Sequence, residues 1–227
     1  MVADLKRHIL AQFPVLVESP TALPAPRGGL GLAAMTECAE MEARIVERGI
    51  SGIGGDLAEG TDGLEACHKG FVEGLLQEWT RDPDRETGVA VVAAAPAGSG
   101  KTTALAAAAM EARGLGRGSV VSHFVGSGYT GCLGSCAIAD VMRHLLAQVL
   151  HVLQEGRVHG DDGEPLTAPA SDHELPRVWL TALTALQYLP VTESNPEPGL
   201  ALVVLDGLEA LRGLFPSPVP KGVLFVA

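Results

Sequence analysis

The apolar positions of this chain follow two periods. Apolar runs occur at 89–95 (VAVVAAA), 200–205 (LALVVL) and 222–227 (GVLFVA), and 119–126 (SVVSHFVG) is a mostly apolar stretch of similar length. Runs this short and this rich in Val and Leu predict strands buried on both faces. The other period is helical. Met35, Cys38, Ala39, Met41, Ile45 and Val46 recur through 32–48 with glutamates between them, and Gly49 is the expected stop. Leu64, Cys67, Phe71, Leu75 and Trp79 make a second stripe over 64–79. Thr102 to Arg113 predicts a helix ended by Gly114. The clearest stripe is Ile138, Val141, Met142, Leu145, Val149 and Leu153, and a short helix is expected over 178–189. Such a mixture of buried strands and amphipathic helices sets an α/β class.

Polar and Pro/Gly-rich stretches punctuate these elements at 18–31, 49–63, 156–176 and 191–199. With a short helix expected over 3–12, residues 1–63 read as an irregular helical leader, and residues 64–227 as the core.

Composition narrows the picture. A net charge of −11 speaks against nucleic acid as a partner. No apolar run reaches the ~20 residues of a membrane span. Asp4 and Pro14 interrupt what would otherwise resemble a signal peptide. The four cysteines, Cys38, Cys67, Cys132 and Cys136, follow no disulfide or zinc pattern, so reduced thiols and a cytoplasmic location are expected.

The chemistry concentrates at 95–103, APAGSGKTT. A buried strand, a small-residue turn and an Ala-rich helix follow one another there, the context of a phosphate-binding loop. Pro96, Ala97, Gly98, Ser99, Gly100, Lys101, Thr102 and Thr103 are the candidate nucleotide-binding residues. Backbone N–H groups must turn inward onto phosphate oxygens, which demands small residues of permissive φ. The helix start adds N–H donors and positive potential. Lys101 supplies a charge for the terminal phosphates, and the Thr102 hydroxyl a hard oxygen for Mg²⁺. Ala95 stands where the motif usually has its first glycine. Asp206, ending the apolar run 200–205, is the second expected Mg²⁺ partner, commonly through water. Glu209, one turn on, reads either as the carboxylate that orients a catalytic water or as a surface glutamate. Asp161, Asp162 and Glu164 lack calcium-loop spacing and read as a solvated loop. His144 and His151 share a helix face without a carboxylate partner and are expected as surface histidines.

APAGSGKTT, SVVSHFVG and LALVVLDGLEAL resemble the NACHT branch of the STAND signalling NTPases, with HFVG and DGLE similar to nephrocystin-type members. The resemblance covers roughly residues 64–227. It implies a P-loop NTPase fold with a mostly parallel sheet flanked by helices. In that sheet the final strand lies between the strand before the loop and the Asp206 strand. It also implies ATP and Mg²⁺ as ligands and an ATP-driven switch. Protein partners are expected through a C-terminal region, with a nucleotide-dependent oligomer among the options. Ala210 stands where many members carry a second acid. A sensor residue, helical lid, winged helix and repeats are expected beyond Ala227, so slow or absent turnover is anticipated for residues 1–227. A non-hydrolysing interaction module and a small-molecule phosphotransferase remain as alternatives; the acidic stretch 156–176 argues against the second.

Overall fold

The computed structural model describes residues 30–52, 66–81, 89–91, 96, 98–125, 137–156, 158, 166–191, 200–207 and 223–226. The expected helix at 3–12 and most of the polar stretches at 18–31, 49–63 and 191–199 lie outside the described residues.

Four strands form one parallel sheet: β1 (Val89–Val91), β2 (Ser119–Phe124), β3 (Ala201–Asp206) and β4 (Val223–Val226). Their order is β1-β4-β3-β2, which places the final strand between β1 and the Asp206 strand, as the resemblance implied. Parallel neighbours need crossover connections. Helix α3 (Lys101–Leu115) lies between β1 and β2 in the chain, and α4 (Ile138–Glu155) and α5 (Leu175–Ala185) lie between β2 and β3. Among the described residues, two helices precede β1: α1 (Leu30–Gly52) and α2 (Ala66–Thr80).

The apolar runs are explained by a core on each face of the sheet. Leu202 and Val204 of β3 pack with Leu105, Val72, Trp79 and Met41 from α3, α2 and α1. Val203 and Leu205 pack on the opposite face with Leu145, Val149 and Trp179 from α4 and α5. Ala106, Ala107, Ala108 and Ala109 of α3 have no exposed surface. A helix apolar on every side is a buried one, and here the small side chains let α3 lie between the sheet and α1 and α2.

Several boundaries differ from the sequence expectation. Helix α1 runs through Gly49 to Gly52. Its glycine is needed for proximity instead: a Cβ at Gly49 would fall 2.5 Å from Thr103 Cγ2. Helix α3 passes Gly114 and ends at Gly116, whose φ of 61° is left-handed. Helix α5 begins at Leu175, with Pro176 in its first turn, where proline needs no N–H partner. A 3₁₀ turn, Leu186–Tyr188, continues it. Part of the stretch read as a surface insertion, Leu166 and Ala168, packs against the second core.

At the β2 edge of the sheet, exposed strand groups would invite pairing with another chain. Side chains meet them here. The Ser122 N–H donates to Gln148 Oε1 at 3.2 Å, and the Ser122 carbonyl accepts from Gln148 Nε2 at 2.9 Å and from Cys38 Sγ at 3.2 Å. The Val120 carbonyl accepts from Arg113 Nη2 at 3.4 Å. Helix α1, packed on both α3 and α4, covers this edge. It carries Glu42, which is fully buried, pairs with Arg113 of α3 and accepts from the Ser122 hydroxyl. Burial pushes the Glu42 carboxyl above 4.5, although Arg113 and Ser122 pull it down. Cys38 is a free, buried thiol, pushed up to about 12 by burial and by Glu42, and so is inert as a nucleophile.

His144, expected at the surface, is buried. It lies 3.0 Å, Nδ1 to Nδ1, from the equally buried His123. Gln148 Nε2 lies 3.3 Å from the same His144 nitrogen and is already a donor to the Ser122 carbonyl. One of the two Nδ1 atoms donates and the other accepts, and His144 Nε2 lies 3.8 Å from Cys38 Sγ. Desolvation and the neighbouring His144 lower His123 to about 3, and desolvation lowers His144 to about 4, from an ordinary 6.5. The unfolded chain thus binds the extra protons. Stability from this pair is complete above 6.5 and is withdrawn as pH falls toward the folded values, by up to ~1.4 kcal/mol per pH unit for each histidine. Glu42 acts with the opposite sign, because its folded value is raised. Urea unfolding at pH 7 and pH 5 isolates the histidine part. The pH 7 to pH 5 loss should be smaller in His123→Asn than in wild type, and equal losses would contradict neutral burial of the pair.

Candidate functional site

The site is built where β1 hands the chain to α3. Gly98 and Gly100 have φ of 78° and 81°, a left-handed backbone that side chains disfavour. Between them the Ser99 N–H donates to the Pro96 carbonyl at 3.3 Å, closing a tight turn. The Ala104 N–H donates to the Gly100 carbonyl at 2.9 Å, so α3 begins at once after the turn, and among the described residues no side chain caps it. An uncapped helix start behind a glycine turn offers backbone N–H groups and positive potential to an anion. The Lys101 ammonium donates to the Pro96 carbonyl at 3.2 Å, reaching back across the loop.

The parallel sheet brings a second element to the same place. Strand β3 ends in Asp206, which is buried. The Thr102 hydroxyl donates to Asp206 Oδ2 at 2.9 Å, joining residues 104 apart in the chain. Donation by the hydroxyl leaves the lone pairs of Thr102 Oγ1 available beside a carboxylate. Two hard oxygens of this kind suit a hard cation. After Asp206 the chain turns sharply: Gly207 has φ of 80°, and a Cβ there would lie 2.9 Å from the Val125 carbonyl oxygen.

Of the residues expected in the site, Pro96, Gly98, Ser99, Gly100, Lys101, Thr102 and Thr103 lie on this loop and helix start, with Asp206 against Thr102. Ala95, Ala97, Glu209 and the cluster Asp161–Glu164 lie outside the described residues, as do Cys132 and Cys136. His144 and His151 form no joint site. His144 bonds inside the core, and His151 Nε2 lies 3.3 Å from Glu155 Oε1. Among the described residues no three His, Cys, Asp or Glu side chains are grouped to hold a metal. Nor is any helix among them long and apolar enough to cross a membrane.

Two contributors escaped the sequence reading. His68, near the start of α2, donates from Nε2 to the Ser99 carbonyl at 2.9 Å; a carbonyl only accepts, so Nε2 carries the proton. Gly49 of α1 is apposed to Thr103. Neither residue belongs to a spacing pattern that ties it to the loop. The Thr102–Asp206 pair, by contrast, was legible from the motif and the strand end. Comparison with protein-family models, curated proteins and solved structures gave no match.

The two loop glycines differ in a testable way. Around Gly98 no described residue lies within 4 Å of a notional Cβ, whereas at Gly100 that atom would sit 2.6 Å from His68 Cε1. Gly98→Ala should therefore lose only the backbone term, ~1–2 kcal/mol. Gly100→Ala should lose more, because the His68 ring must also move. Chemical unfolding of the two variants decides; equal losses would mean that His68 does not press on the loop.

Proposed function

We propose that this chain is an ATP·Mg²⁺-binding module of P-loop type, working as a nucleotide-dependent switch of the STAND/NACHT kind. The Thr102–Asp206 hydrogen bond carries the reading. It sets a hydroxyl and a carboxylate together at the start of α3, beside a turn whose glycines hold positive φ. Mg²⁺ in nucleotide sites takes one or two protein oxygens and completes its shell with phosphates and water. The donor set fits that ion: Thr102 Oγ1 would be a ligand, and Asp206, which accepts from it, would supply the nearby negative charge. When bound, the ion supplies charge neutralisation between the terminal phosphates.

The chain's own groups then have separate tasks. The backbone N–H groups of the turn and of the first turn of α3 bind phosphate oxygens. Lys101, which reaches the Pro96 carbonyl, exchanges that neutral acceptor for a phosphate and gains a charge-assisted bond. Adenine is favoured by the absence of an NKxD guanine-reading motif from the sequence. Glu209 is the residue proposed to orient the attacking water, and Ala210 supplies no second acid, so turnover by residues 1–227 is slow. The switch role, with protein partners and a nucleotide-dependent oligomer, follows from the resemblance of APAGSGKTT, SVVSHFVG and LALVVLDGLEAL, and a cytoplasmic setting from the cysteine usage.

Calorimetric titration with ATP·Mg²⁺ tests the reading. Wild type should bind, and Lys101→Ala should bind more weakly by roughly ten- to a hundredfold, the equivalent of a charge-assisted hydrogen bond of about 1.5–3 kcal/mol. Equal affinities would overturn the assignment.

A further inference from the structure

The glycine turn is held from a distance. His68 on α2 and Ser99 on the loop are 31 residues apart in sequence and 2.9 Å apart in space. The acceptor is the carbonyl of the Ser99–Gly100 peptide. In a trans peptide the C=O and N–H point in opposite directions. A donor that fixes the Ser99 carbonyl therefore aims the Gly100 N–H toward the other side of the turn. In an anion-binding turn the N–H groups must converge on the ligand while the carbonyls point outward. A peptide flip at this position would present a carbonyl oxygen to the anion.

The contact is also close. The His68 ring occupies the space where a Gly100 Cβ would stand, 2.6 Å from Cε1 and 2.8 Å from Nε2. The left-handed φ of 81° at Gly100 and the proximity of the ring thus demand glycine independently. Helix α2 cannot swing freely while it carries this ring, because Val72, Leu75 and Trp79 anchor it in the core with Leu105 of α3. His68 is therefore presented by a helix packed on the same α3 that follows the turn.

The geometry points to His68 as a positioning residue for phosphate binding: a strut from α2 that holds the Ser99–Gly100 peptide with its N–H facing the phosphate. This rests on the nucleotide reading of the loop and adds a regulatory consequence to it. If α2 holds the loop in its binding form, nucleotide must in turn hold α2, since coupling between two sites is reciprocal. Displacement of α2 by a partner would lower nucleotide affinity without any contact to the ligand.

The test uses the full chain and two replacements of similar reach, only one of which keeps an N–H donor: His68→Gln and His68→Met. ATP·Mg²⁺ is titrated calorimetrically into wild type, both variants and Lys101→Ala, and amide hydrogen exchange of α2 is followed with and without nucleotide. His68→Gln should bind within about threefold of wild type. His68→Met should bind three- to tenfold more weakly, the range roughly expected for one neutral hydrogen bond. Nucleotide should slow exchange in α2 of wild type and His68→Gln, and less so in His68→Met. A purely structural His68 would shift the melting of both forms yet leave exchange in α2 insensitive to nucleotide. Equal affinity of the Gln and Met variants, with wild type binding and Lys101→Ala weakened, would overturn the strut and leave the nucleotide reading intact. Failure of wild type to bind would overturn both.

Discussion

A carboxylate with no exposed surface constrains this molecule more than any other single group. Removing Glu42 from water costs several kcal/mol, which only well-placed partners can return. Those partners are the Arg113 guanidinium of α3 and the Ser122 hydroxyl of β2. Each belongs to a different element, so α1 has one position in which its charge is met. The same Arg113 also donates to the Val120 carbonyl on β2. In that position α1 covers the outer edge of the sheet, buries Met41, Ile45 and Val46 with α3, and brings Gly49 against Thr103. An ion pair of this kind defines where an element sits more than how strongly the chain folds.

The site inherits this arrangement. Helix α3 is packed against the sheet through a run of alanines and enclosed on its other side by α1 and α2. Its first turn is thereby fixed relative to the end of β3, and the Thr102–Asp206 contact spans the joint. The glycine turn ahead of α3 is held from three directions: by its own Ser99 to Pro96 bond, by Lys101 on the Pro96 carbonyl, and by His68 on the Ser99 carbonyl. A loop whose peptide orientations are set before a ligand arrives loses less entropy on binding.

What could be read from the sequence divides along physical lines. Strands β2 and β3 were legible because every residue of each is buried, so their runs are short, rich in Val and Leu and carry no polar face. Strand order came through the resemblance, and Thr102 and Asp206 through motif and strand end. The helix ends were less legible. Gly49 and Gly114 look like stops, yet one is a close-approach glycine inside α1 and the other an open position inside α3. A glycine's purpose depends on what lies across from it, which lies elsewhere in the chain. The same holds for His144, Glu42 and His68. A histidine on a helix stripe reads as surface until His123 and Gln148 are seen to meet it. Long-range polar contacts leave no periodic trace, because they need only one residue on each partner.

In the proposed nucleotide site, Thr102 and Asp206 together form the cation end. Titration of ATP into wild type and Asp206→Asn, once with Mg²⁺ and once with excess EDTA, tests it most directly. The substitution keeps the shape and an acceptor oxygen for the Thr102 hydroxyl but removes the charge. A marked loss of affinity with Mg²⁺ and little change without it is expected. Equal loss under both conditions would make Asp206 a structural acid at a strand end and would overturn the cation site.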